Sequence, residues 1–176
     1  DVLRAENVTL YPSTQALWID GALALADLEV DKLELQAGER RVQTSTLNDL
    51  FGAVSRISTA DAQFARYIEN VSVRDILIRD TDGVRPPRGS KFLLTRQDGG
   101  LRSVLQLAYF RGGNLTRIGG RGYTQPGKGG RVDVQLEHMN PADLAGISSL
   151  FSPLSALSLP VDAELGFELA ADGTPA

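Results

Sequence analysis

The chain has no cysteine, which excludes disulfides, thiolate zinc sites and a cysteine nucleophile. It has one histidine, so any histidine-based triad or metal site must pass through His138. That residue ends an alternating segment beside Met139 and Asn140, with no HxH or HxxxH partner, and such isolation does not describe a metal or catalytic cluster. No apolar run approaches the roughly 18 residues that a membrane helix needs. The chain begins at Asp1 with no initiator methionine and no signal-like apolar core. It reads as a processed piece of something longer, with any membrane anchor outside it.

What is present is ordinary in bulk and uneven in distribution. The 176 residues, 42% hydrophobic and 23% charged, suffice for one domain with a real core. A net charge of −4 hides an asymmetry. Residues 1–65 hold five basic and ten acidic side chains, residues 66–131 hold thirteen and five, and residues 132–176 hold no lysine or arginine against seven acids. The plain reading of the central excess is the solvated outer faces of strands. The sharper one is a basic rim for anionic lipid headgroups. The arginines are not interleaved with aromatics, which argues against nucleic acid.

The pattern is that of strands. The longest β-type run is Arg66 to Asp80, in which Val71 and Val73 share one face. Parity slips by one at Arg74-Asp75, after which Ile76 and Ile78 continue the apolar row; a β-bulge would supply such a slip. Upstream, strands are expected at 3–11, at 16–19 and over Leu28 to Leu35, the last with a second slip at Asp31-Lys32. Downstream they are expected at 90–97, 102–111, 114–123, 130–138 and 161–170, separated by glycine-rich turns. Two short helices are expected. One covers Thr46–Ile57, where Leu47, Leu50, Val54 and Ile57 recur at helical spacing; the other runs from Ala142 to about Phe151, after Asn140-Pro141. A faint echo links Ala5–Leu10 to Ile68–Val73, as a quasi-repetitive sheet would.

No motif carries chemistry. Gly122 to Lys128 matches the first seven positions of a phosphate-binding loop, but Gly129 replaces the magnesium-binding Ser or Thr, and a strand follows in place of a helix. It reads as a hairpin, and no nucleotide is expected. Carboxylate pairs such as Asp80 with Asp82, or Asp162 with Glu164, follow from turns and polar strand faces, with nothing to separate acid from base. Sequons at Asn7, Asn70 and Asn114 lie in or beside strands, which disfavours glycosylation. The expectation is a non-enzyme with no cofactor and no metal.

The order of elements resembles a segment of the AsmA-like superfamily of envelope proteins (the TamB and YhdP type), closest to the YhdP-like branch. The likeness is carried by Leu3–Tyr11, by Phe64–Asp80, and by Val132–Gly173 with its Asn140-Pro141-Ala142-Asp143-Leu144-Ala145 and Leu159-Pro160-Val161-Asp162-Ala163-Glu164 stretches. It covers most of the chain through degenerate patterns rather than invariant chemistry. It implies a strongly curved, groove-like antiparallel meander in the periplasm of a Gram-negative bacterium. The whole protein would be anchored in the inner membrane and would carry phospholipids between inner and outer membranes.

On this reading residues 1–176 form one segment: N-terminal strands (1–43), a helical linker (44–66), a central meander (67–139), and a short helix with a final strand (140–176). Val71, Val73, Ile76, Ile78, Val134, Leu136, Leu165, Phe167 and Leu169 would line the groove. The expected partners are phospholipid acyl chains, and both membranes through parts outside this segment. The alternative is a β-sandwich binding module for a glycan or an envelope protein, with Trp18 and Tyr11 as its best candidates.

Overall fold

A computed structural model describes residues 2–21, 23–36, 67–79, 87–111, 114–125, 128–140 and 159–171. These form eight strands and one helix: β1 (Val2–Pro12), α1 (Thr14–Asp20), β2 (Leu25–Gln36), β3 (Asn70–Arg79), β4 (Lys91–Gln97), β5 (Gly100–Arg111), β6 (Asn114–Gln125), β7 (Gly129–Met139) and β8 (Val161–Leu169). All eight strands belong to one sheet in sequential order, which is not closed. At about 4.8 Å per strand the sheet is roughly 33 Å wide. The protein is therefore mainly β, in one layer of strands among the described residues rather than the two layers of a sandwich.

Six of the seven strand pairs are antiparallel; β2 and β3 are parallel, with Val30 opposite Val73 and Leu33 opposite Ile76. The sheet is thus mostly antiparallel, as expected, with one parallel pair interrupting the meander. The reason lies in the connections. Residues 37–69 separate β2 from β3, long enough for the crossover that a parallel pair needs. The β4–β5 link, by contrast, is the dipeptide Asp98-Gly99, with φ of 51° and 74°. Positive φ at both central residues is what a type I′ hairpin turn requires, and Asp-Gly supplies it at low cost.

The expected strand at 16–19 is a helix. Ser13 caps its N-terminus, its hydroxyl oxygen accepting from the Ala16 amide at 3.1 Å, and Gly21 at φ 63° closes its C-terminus. The unalternated run Ala16-Leu17-Trp18-Ile19 looks β-forming by residue type, but two caps around seven residues favour a closed helix of about two turns. Of the two helices expected from periodicity, 46–57 and 142–151 both lie outside the described residues. Among the described residues α1 is the one helix.

The parity slips foreseen in β2 and β3 occur, but without a bulge. Val8, Val30 and Val73 are in register, and so are Ala5, Leu33 and Ile76. Each strand thus takes an odd step of three residues between apolar positions at the same level, and the register is kept. Asn7, Asp31 and Arg74 occupy the step. Asn7 adopts φ 53°, a left-handed conformation that Asn tolerates better than most residues. Its amide donates to the Asp31 carboxylate at 3.2 Å, and Arg74 reaches Asp31 and Glu29, both at 3.2 Å. A polar ladder therefore bridges the three strands where backbone pairing is interrupted.

The same level is marked just before β4. Ser90 is fully buried, and its carbonyl accepts from the Ile76 amide at 2.8 Å. Its hydroxyl accepts from the Ala108 amide at 2.8 Å and donates to the Ala108 carbonyl at 3.3 Å. At the far side a register shift does occur: His138, at φ 52°, interrupts β7 between Leu136, opposite Ala163, and Met139, opposite Val161.

Candidate functional site

The register brings apolar side chains from all eight strands into transverse rows on one face. One row reads Val8, Val30, Val73, Phe92, Leu105, Gly120, Val134, Leu165; the next reads Leu10, Leu28, Val71, Leu94, Ser103, Gly122, Val132, Phe167. A third begins with Ala5, Leu33 and Ile76 and ends with Leu107, Ile118, Leu136 and Ala163. Two packed clusters arise from this face, one centred on Val73, Ile76, Leu107, Ile118 and Leu136, the other on Ile68, Val71, Leu94 and Leu101.

The nine residues expected to line a groove divide into two sets. Val71, Val73, Ile76 and Leu136 are buried, with Ile76 and Leu136 only 1% and 2% exposed. Ile78, Val134, Leu165, Phe167 and Leu169 are half-buried. Val134 and Leu165 share one row, Phe167 lies in the next opposite Val132, and Leu169 lies opposite Gly130. The register thus places β3 and β7–β8 residues on the same face, and among these nine the accessible members lie mainly on the β7–β8 side. Val8 and Leu10, which alternation in 3–11 could have nominated, are the exposed members at the opposite edge, 49% and 61% accessible.

Gly120 and Gly122 leave these two rows without a side chain at β6. A Cβ at Gly122 would lie 2.6 Å from the Ser103 hydroxyl oxygen, so the β5 and β6 strands are matched in bulk at that point.

The opposite face is polar and charged. Arg117 pairs with Glu137 at 3.3 Å, Arg131 with Asp133 at 2.9 Å, and Lys32 with Glu6 at 3.1 Å. The hydrogen bond from Arg131 to Asp133, with the charge of that carboxylate, raises the pKa of the guanidinium. Gln106, Gly119, Gln135 and Glu164 form a polar row here, flooring an open depression of about 510 Å³ between Arg121 and Arg131. Arg117, Arg121 and Arg131 of the central third thus sit on the strand face that carries the β7 acids Asp133 and Glu137.

His138 lies at the β7–β8 irregularity. Its imidazole Nδ1 is 3.6 Å from the Asp162 carboxylate, and its backbone amide donates to the same carboxylate at 2.7 Å. Gly122 to Gln125 are the end of β6 and Lys128 is the last residue before β7, its amide bonded to the Gln125 carbonyl at 3.1 Å. No helix N-terminus follows that turn, since Gly129 opens a strand. Among the described residues no three His, Cys, Asp or Glu side chains converge as a metal site would require, and no helix is long and apolar enough to cross a membrane.

A feature that the sequence reading undervalued is the α1 corner. Leu17, Trp18, Ile19 and Leu23 are 52%, 84%, 68% and 90% exposed, while Ala16 is fully buried. The pair Ser13 and Gly21, spaced as helix caps, was the signal available for it. Set against known protein families, curated proteins and solved structures, the chain matches none of them.

Proposed function

We propose that this sheet is a passive surface for phospholipid acyl chains, a non-catalytic segment of an AsmA-like periplasmic protein that curves into a groove and moves lipid between inner and outer membranes. The observation that carries the reading is the pair of transverse rows: residues in register across eight strands of an open sheet, apolar but for Ser103 and with glycine at β6, and with charges on the opposite face. A phospholipid with about thirty methylenes loses on the order of 24 kcal/mol if its chains meet water, at about 0.8 kcal/mol each. A carrier must therefore offer an uninterrupted apolar track, with headgroups left wet at the rim. The half-buried Val134, Leu165, Phe167 and Leu169 are the residues that acyl chains would touch; the buried Val71, Val73, Ile76 and Leu136 support the track from within.

Native mass spectrometry of the chain purified from a bacterial envelope, followed by lipid extraction, tests this. Phospholipid is expected to co-purify, and Phe167→Asp is expected to remove it while circular dichroism stays unchanged. A folded chain that carries no lipid, or lipid retained by Phe167→Asp, would sink the proposal. Val73→Asp is the harsher variant, since its side chain is closed from solvent.

A second reading, a module that recognises a glycan or an envelope partner, is favoured by one observation. Trp18 and Tyr11, 84% and 47% exposed, lie at one corner of the sheet, where aromatics for stacking on a partner would be placed.

A further inference from the structure

We propose that the polar face over β4–β7 binds an acidic polysaccharide, a hydroxyl-rich chain with carboxylates along one edge. The site lies on the opposite side of the sheet from the apolar rows, so acyl chains play no part in it.

Charge locates the site. Residues 88–131 hold nine lysines and arginines against one acid, Asp98, which sits in the turn between β4 and β5. The register puts Lys91, Arg102, Arg117, Arg121 and Arg131 on the polar face. Arg117 and Arg131 are neutralised there by Glu137 and Asp133. Lys91, Arg102 and Arg121, with Arg88 just before β4, are exposed and make no ion pair with any described residue. Because the whole chain carries −4, attraction of a polyanion must come from this local field and not from net charge.

Shape comes second. The unpaired cations span β4 to β6, two strand spacings or about 10 Å. Beyond them Glu164 and Glu168 of β8 stand in the rows of Lys91 and Arg102, and Asp27 of β2 aligns with Arg102 through Asn70 and Thr95. A flat anionic bilayer would press on those acids together with the cations. A chain lying along the strands would not. Two depressions of about 510 and 300 Å³ lie on the β5–β7 side of this stripe and share Gln106, Gly119 and Gln135 as their floor. From Arg117 to Tyr123 the trough follows β6 for about 20 Å.

Chemistry names the class. On one bank, the forked guanidinium of Arg121 suits a carboxylate. On the floor, the amides of Gln106 and Gln135 are exposed and meet no side-chain partner among the described residues; each can donate to and accept from a hydroxyl. On the far bank, Glu164 accepts from hydroxyls and repels a ligand charged on both edges. At one end Tyr123 stands between Arg102 and Arg131. Its ring lies over Gly100, where a Cβ would come within 2.9 Å of it, and its hydroxyl accepts from the Gln125 amide at 2.9 Å. That exposed ring is held ready to stack on a sugar. Single-stranded nucleic acid stacks successive bases on several rings, and here there is one. An acidic peptide wants a sheet edge or apolar pockets, and this site is polar and inside the sheet.

Isothermal titration of the full chain with polygalacturonate at low salt tests the site. Binding is expected, and it should weaken as salt is raised. Arg121→Glu is expected to lower the affinity roughly tenfold, as a reversed charge facing the ligand demands. The side chain is exposed, so circular dichroism should not change. Gln106→Ala is expected to weaken polygalacturonate while leaving any binding of polyglutamate unchanged. Phe167→Asp should bind polygalacturonate normally, and Arg121→Glu should keep its co-purified phospholipid, so the two faces fail separately. The proposal is overturned if polygalacturonate does not bind, or if Arg121→Glu or Gln106→Ala binds it as well as the parent. Tighter binding of oligodeoxythymidylate, polyglutamate or phosphatidylglycerol vesicles than of polygalacturonate overturns it too.

Discussion

Replacing Ser90 with alanine isolates the contribution of one hydroxyl to the sheet. Ser90 is fully buried just before β4, and its side chain serves both backbone groups of Ala108, accepting from the amide at 2.8 Å and donating to the carbonyl at 3.3 Å. In a regular ladder those groups would meet a backbone partner; here one side chain stands in for it. Alanine keeps the backbone and removes only the oxygen, so the Ala108 N–H is left without an acceptor in a closed site. A buried donor stranded in this way costs about 1–3 kcal/mol. The gain from no longer burying the serine hydroxyl offsets part of that, and about 2 kcal/mol is expected to be lost net. With a urea m-value of about 2 kcal/mol per molar, the unfolding midpoint should fall by about 1 M with m unchanged. Urea denaturation followed by circular dichroism reads the midpoint, and hydrogen exchange reads the Ala108 amide, which should lose protection more than its neighbours in β5. A midpoint shifted by less than about 0.2 M, or an Ala108 amide that stays as protected as before, would show that Ser90 does not substitute for ladder bonds.

Three further changes test other features by the same denaturation measurement. Asn7→Gly should be nearly neutral and Asn7→Val should cost about 1–3 kcal/mol, because a β-branched residue resists the φ of 53° there; equal stabilities would contradict the left-handed step. Gly130→Ala should cost about 3 kcal/mol, since its Cβ would press on the Tyr123 carbonyl and lie 2.8 Å from the Thr124 Cα; a tolerated alanine would mean that β6 and β7 are further apart. Arg74→Met should cost less than about 1 kcal/mol despite its two ion pairs, because the side chain is 64% exposed; a larger loss would give the polar ladder a structural weight that screening should deny it.

Much of the sheet was legible because its signal is local. Val71, Val73, Ile76 and Ile78 declared their own alternation and its slip, and Asp98-Gly99 declared a hairpin. The aligned slip could be seen strand by strand, at Asp31-Lys32 and at Arg74-Asp75, but not as a shared step. That the two lie side by side, with Asn7 completing the set, depends on pairing across more than twenty residues. The parallel β2–β3 pair was hidden for the same reason, since strand direction is not a property of either segment. The α1 corner was misread where residue type and position disagreed: Trp18 and Ile19 favour strands, yet Ser13 and Gly21 cap a helix around them. The echo between Ala5–Leu10 and Ile68–Val73 does not correspond to equivalent places. Asn7 is left-handed and off the ladder, whereas Asn70 pairs regularly with Asp27 and Thr95. Of the candidate lining, the shared face followed from parity, but which members are closed and which accessible is decided by neighbours that no single strand reveals.

The parallel contact between β2 and β3 also divides the order in which the sheet can assemble. From β4 to β7, each strand meets the next through a connection of two or three residues, so these hairpins can zip up from nearby residues. Pairing β2 with β3 must instead bring together residues 43 positions apart, Asp27 with Asn70 and Gln36 with Arg79, an entropic cost of about 3 kcal/mol from the logarithmic length dependence alone. The β1–α1–β2 corner, itself a local unit, would then dock late onto a sheet already formed, and would be the first piece to lift away. Continuity of the apolar rows from one edge of the molecule to the other would thus be the last thing folding achieves.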